Sequence, residues 1–134
     1  MFLENYLHPE KSDNVRDISV QGLAHVGDAV YELMVRTWLC ETGASSAKNL
    51  HSRAVTFVSA KAQAAAVKKV MSFLDESEVA VFKRGRNAHV NSVPKGSTHE
   101  EYHAATGLEA LFGFLYLSGC TERLNELFAL IVCD

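Results

Sequence analysis

QGLAHVGDAVYELMVRTWL, residues 21–39, has the pattern of one long helix. Leu23, Val26, Val30, Leu33 and Met34 recur at steps of three and four, and Trp38 continues them. That period belongs to a helix with one apolar face. Gly27 and Asp28 stand in its middle. A glycine inside a helix costs about 1 kcal/mol against alanine. A carboxylate among apolar neighbours needs a partner, water or an ion. The sequence accepts both costs side by side, and this points to a close backbone approach and to a bound or paired charge.

Helical patterns extend outward from this stretch in both directions. Gly43 is a stop signal after TWLCET. Ser45 and Ser46 then offer an N-cap for the alanine-rich segment AKNLHSRAVTFVSAKAQAAAVKKVMSFL, which reads as a short helix followed by a longer one. Asp75 and Glu78 have the spacing of a capping box for ESEVAVFKRGR. GRNAHVNSVPKGS holds two glycines, a proline, two asparagines and two serines, and reads as the one long loop. Ser97 and Glu100 have capping-box spacing before THEEYHAATGLEALFGFLYLSG, and Thr121 opens a last helix, ERLNELFALIV. Only AVFK and VNSV hint weakly at strands. The expected fold is all-α, with about six or seven helices in one domain spanning residues 1–134.

Bulk properties narrow the function. Of the 134 residues, 48% are hydrophobic and 22% charged, which suits a globular domain with a real core. No apolar run reaches membrane-spanning length, and MFLENYLHPEK carries no basic leader, so no membrane association is expected. Cys40, Cys120 and Cys133 are odd in number and unpatterned, as expected of reduced thiols in a cytoplasmic protein. The net charge of −3 means that any nucleic-acid role must rest on a local basic patch.

Three constellations carry possible chemistry. HEEYH, residues 99–103, matches the H-E-x-x-H pattern of zinc peptidases, although the plainer reading is an exposed first helical turn, where Glu100 and Glu101 suit a helix N-terminus. Lys83, Arg84, Arg86 and Lys95 place four cations and no acid within thirteen residues, either to grip phosphates or as a solvated loop. The third is a pair of apolar helices that each hold an acid near a glycine: Asp28 beside Gly27, and Glu109 two residues after Gly107. Glycine lets backbones approach. Helices packed at these glycines would bring Asp28 and Glu109 together, and two adjacent carboxylates call for a cation between them. Oxygen ligands favour Mg²⁺ or Mn²⁺. Glu32, one turn after Asp28, is a possible outer ligand. The plainer alternative pairs Asp28 with Arg36 or Arg53.

LAHVGDAVYELMV resembles the signature helix of ribonuclease III, and TGLEALFGFLYL resembles its late helix. LHSRAVTFVSAKAQA and FKRGRNAH are similar to the short variant of that family called Mini-III, which has the catalytic domain and no double-stranded-RNA-binding domain. The resemblance runs from about residue 15 to about residue 120. It implies the helical ribonuclease III endonuclease-domain fold, assembled as a homodimer with the glycine-bearing helices at the two-fold interface. It also implies that Asp28 and Glu109 are catalytic and bind Mg²⁺, with Mn²⁺ as a possible substitute. The substrate it implies is double-stranded RNA, typically precursor ribosomal RNA. The chain departs from the longer family pattern where Gln21, Ala24 and Thr106 replace acids, a thinning shared by Mini-III. Thr106 and Glu32 remain as outer positions. On this reading Lys83, Arg84, Arg86, Asn87 and Lys95 contact RNA, with His89 in the same stretch. The thinned acid set leaves open a non-catalytic duplex-RNA scaffold, and HEEYH leaves open the peptidase.

Overall fold

The computed structural model describes residues 6–7, 14–43, 46–88 and 92–133. Six α-helices follow in order: α1 (Val20–Glu41), α2 (Ala47–Val58), α3 (Ala60–Val70), α4 (Glu76–Arg86), α5 (His99–Leu117) and α6 (Thr121–Val132). Single 3₁₀ turns occupy Val15–Asp17 and Met71–Phe73. The described residues contain no strand, and AVFK lies within α4.

Each boundary has a local cause. The Ser19 hydroxyl accepts a hydrogen bond from the Gly22 amide and opens α1. Ser46 does the same for α2 through Asn49, whereas Ser45 lies outside the described residues. The alanine-rich segment divides at Ser59, which ends α2 and caps α3 through the Ala62 amide, so the two helices are nearly equal at 12 and 11 residues. Asp75 and Glu78 form the expected capping box of α4. Glu78 is buried, and its charge is offset by Arg123 of α6 at 2.8 Å. The capping box of α5 is Thr98 with Glu101, one residue later than the spacing of Ser97 and Glu100 suggests. Ser97 is otherwise engaged, because its hydroxyl donates to the Pro94 carbonyl across a turn in which Gly96 takes a φ of +89°.

Helix α5 is the spine, packed against α1, α3, α4 and α6. Its interior face presents Leu108, Leu111, Phe112 and Leu115 to the core. Tyr31 of α1 meets Phe112 edge-on at 5.3 Å and Phe128 of α6 at 6.1 Å.

The buried line of α1 differs from the one its apolar residues suggest. It runs Leu23, Gly27, Tyr31, Val35 and Leu39, while Val26, Val30, Met34 and Trp38 are half-buried and Leu33 is 58% exposed. The stripe is centred on a glycine because that is where α1 touches α5. A Cβ on Gly27 would lie 1.6 Å from the Glu109 carbonyl oxygen, and one on Gly113 would lie 1.9 Å from that of Leu23. The space beside Gly27 is therefore filled by this chain's own α5, not by a partner's helix. The glycine of α5 that meets it is Gly113. Gly107 instead lies against Phe82 and Gly85 of α4.

Gly27→Ala is expected to cost about 3 kcal/mol or more, at or above the usual range for overpacking, because backbone rather than a movable side chain is in the way. The expected fall in melting temperature is about 10 °C. Gly43→Ala, where a Cβ meets nothing within 4 Å and only the positive φ is strained, should cost about 1 kcal/mol. A Gly27→Ala protein that melts like the parent would refute the backbone contact.

Candidate functional site

The glycine contact decides which side chains meet. Asp28 follows Gly27 directly, and Glu109 is the residue whose carbonyl touches it. Their carboxyl groups lie within hydrogen-bonding reach of each other. The burden anticipated for Asp28 falls elsewhere: both acids line one cleft, but Asp28 is exposed and Glu109 is half-buried. Burial, then the Asp28 charge, then the hydrogen bond to Asp28 push the Glu109 carboxyl up to about 8 from an ordinary 4.5. Carboxyl groups this close favour a proton or a cation between them.

The cleft, of about 230 Å³, is lined by α1, the exit of α4 and α5. Gln21, Ala24 and Thr106, the three positions where the longer family pattern has acids, all line it. Side chains without charge thus stand around the two carboxylates. The Thr106 hydroxyl is turned to the Tyr102 carbonyl, 3.0 Å away. Glu32 does not line the cleft and instead pairs with Arg36 at 3.0 Å on the exposed side of α1. This also engages the arginine considered as a partner for Asp28.

Sequence reasoning missed Gln63. It is 2% exposed, and its Nε2 donates to the Val58 carbonyl at 3.0 Å and to Glu109 Oε2 at 3.4 Å. Its Oε1 is buried without a hydrogen-bond partner among the described residues. A signal was available in the spacing: Gln63 begins the stripe Gln63, Ala66, Val67, Val70, which is the buried face of α3. A polar side chain leading an apolar stripe marks a buried polar contact.

The donor set fits a small hard cation. Asp28 and Glu109 offer carboxylate oxygen, with no thiol or imidazole required. The described residues contain no cluster of three histidine, cysteine, aspartate or glutamate side chains able to hold a metal, so any cation here would complete its shell from water or substrate. The same fact bears on HEEYH. His99 and His103 stack at 6.4 Å on α5, but no third ligand joins them among the described residues.

The basic residues lie nearby but not all in a loop. Lys83, Arg84 and Arg86 occupy the last turn of α4, where cations suit the helix C-terminus. Asn87 caps that helix and accepts from Arg86 Nε at 3.3 Å. Arg86 also lies over the Phe82 ring at 5.9 Å. Lys95 is exposed in the turn before α5, and His89 lies outside the described residues. Ala88, just past this cationic end, lines the acidic cleft.

With the two acids joined at a helix crossing between residues 21 and 119, comparison is decisive, because the Ribonuclease III domain matches that whole span. The chain belongs to the ribonuclease III family. A "Mini-ribonuclease 3" of Thermoanaerobacter sp. (strain X514) is 43% identical over 131 residues, covering 98% of this chain and 92% of its own length. One from Symbiobacterium thermophilum is 48% identical over 104 residues, covering 78% and 80%. A crystal structure of a protein from Fusobacterium nucleatum superposes with a TM-score of 0.82 at 32% identity, covering 90% of this chain and 97% of that one. The Mini-III resemblance and the all-α ribonuclease III fold are therefore borne out. No helix among the described residues is long and apolar enough to cross a membrane.

The raised Glu109 carboxyl makes a prediction for the metal-free protein. Its folded pKa of about 8 lies above the ordinary 4.5. Stability from this group is complete below the lower value and is lost as pH rises through the higher one. Glu109→Gln cannot ionise, so its melting temperature in chelator should gain on the parent's from pH 5 to pH 8.5. A constant difference across that range would show that Glu109 is not the titrating group.

Proposed function

We propose that this member of the ribonuclease III family is an endoribonuclease that cuts double-stranded RNA. The observation that carries the proposal is the Asp28–Glu109 pair, held in contact in a cleft bordered by the cationic end of α4. Support for the RNA substrate comes from the family and from relatives named as ribonucleases. Asp28 and Glu109 are the residues that would hold Mg²⁺, or Mn²⁺ in its place. When bound, the cation supplies activation of water and offsets charge on the scissile phosphate. Asp28, the exposed member of the pair, would meet the incoming phosphate. Glu109, ionised with its proton released to solvent, would supply the second oxygen. Thr106 and Gln21 offer neutral polar groups on the walls. Glu32 stays engaged with Arg36.

Duplex RNA is read by its shape, through phosphates and 2′-hydroxyl groups. Lys83, Arg84, Arg86 and Lys95 are exposed and suited to backbone phosphates, with Asn87 beside them. The proposed assembly is a homodimer, so that two sites act on opposite strands. Leu33 of α1 and Val55 of α2, 58% and 48% exposed, supply apolar surface for such pairing. The proposed task is maturation of precursor ribosomal RNA of the large subunit, in the cytoplasm.

A labelled structured duplex incubated with Mg²⁺ should be cut on both strands, and chelator should stop the reaction. Asp28→Asn and Glu109→Gln should each reduce cutting by at least a hundredfold while the protein stays folded. Normal cutting by either variant would refute the site, and metal-independent binding without cuts would favour a scaffold. Replacing Arg84, Arg86 or Lys95 by glutamine should weaken binding for all duplex sequences and lower the slope of log affinity against log salt by about one each. An unchanged slope would remove that residue from the RNA contact.

A further inference from the structure

Gln63 is a buried amide whose orientation is dictated from both sides. A backbone carbonyl only accepts, so the nitrogen must face Val58, and the same nitrogen reaches Glu109 Oε2 at 3.4 Å. Val58 is the last residue of α2, and Ser59 immediately caps α3, so the anchor is a fixed corner between two helices. The cost of the arrangement is visible at the other end of the amide, where Oε1 is buried with no hydrogen-bond partner among the described residues. Methionine or leucine would fill this place on the apolar stripe with Ala66, Val67 and Val70 and remove the unpaired Oε1, while taking a donor from the Val58 carbonyl. Apolar packing therefore does not explain a glutamine here. Its two hydrogen bonds do, one to the Val58 carbonyl and one that carries the amide to Glu109.

We propose that Gln63 is a positioning residue for the acid pair: its amide ties down one Glu109 oxygen, so that the carboxylate keeps its place opposite Asp28 when a divalent cation separates the two acids. The inference rests on the reading of Asp28 and Glu109 as cation ligands. Carboxylates that hold metals are themselves held by hydrogen bonds, and loss of such a partner typically weakens metal binding by about 10- to 100-fold. Gln63 is the side chain that connects α3 to this site. It acts through Glu109 and touches no reacting atom.

The test uses the full chain without RNA and reads Mn²⁺ binding from the paramagnetic resonance signal of the free ion. Gln63→Met and Gln63→Leu should stay helical and melt cooperatively, yet bind Mn²⁺ at least about 10-fold more weakly. Cutting of duplex RNA by these variants should need proportionally more Mn²⁺, with the maximal rate regained at saturating metal. A merely structural residue would not show that separation of metal affinity from maximal rate. Parental Mn²⁺ affinity in a folded variant overturns the proposal, and so does unfolding of both variants, since the amide would then be holding the core. Asp28→Asn, run in parallel, separates the two levels of the argument. If it loses Mn²⁺ while the Gln63 variants do not, the acid pair stands and Gln63 falls. If the parent itself binds no Mn²⁺, the reading of the pair falls and takes this inference with it.

Discussion

Everything at the site depends on one backbone contact, the crossing of α1 and α5 at Gly27 and Gly113. Two helices with ordinary side chains at a crossing stay 8–10 Å apart. Here neither helix has a side chain at the crossing, and the Glu109 carbonyl lies where a Cβ of Gly27 would be. The neighbours of the contact are placed with it. Asp28 is the next residue on one helix, and Glu109 is one turn before Gly113 on the other. The acids meet because they sit beside the place where the chains come closest, and the helical cost of a central glycine is offset by the packing it permits.

A second glycine contact places the positive charge. Gly85 of α4 lies against Gly107 and Ala110 of α5, where its own Cβ would be 2.7–2.9 Å from its neighbours. The C-terminal turn of α4 is thereby pinned to the same helix that carries Glu109. Its lysine and two arginines project outward while Ala88 closes the cleft. Anionic and cationic surfaces thus share a single scaffold helix, α5, which fixes their relation rigidly. A flexible loop would not do so.

The electrostatics of the pair follow from unequal burial. Asp28 keeps its contact with water, whereas Glu109 is set inside and resists ionisation. Such a site favours either a shared proton or a cation, and the surrounding oxygen atoms and lack of sulfur suit a hard one. Gln63 adds a donor to Glu109 from a third helix. The neutral lining at Gln21, Ala24 and Thr106 leaves few anionic ligands, so water and phosphate would have to complete any metal shell.

The helices, most of their caps and the two acids were legible in the sequence, because hydrophobic period, capping spacing and glycine–acid pairs are local patterns. Asp75 with Glu78 shows this directly, and so does the family likeness in residues 21–119. What was not legible depended on which surfaces face each other. Periodicity alone favoured a face through Val26, Val30 and Leu33. Close packing at a glycine turned the buried line to Gly27, Tyr31 and Val35 and left Leu33 outside. The role of Gly27 within the chain, the choice of Gly113 over Gly107, and the burial of Glu109 in place of Asp28 belong to tertiary structure for the same reason. Gln63 lies 46 residues from Glu109 in the chain, and no local pattern couples the two. Only the packing of α3 on α5 brings an amide to the carboxylate.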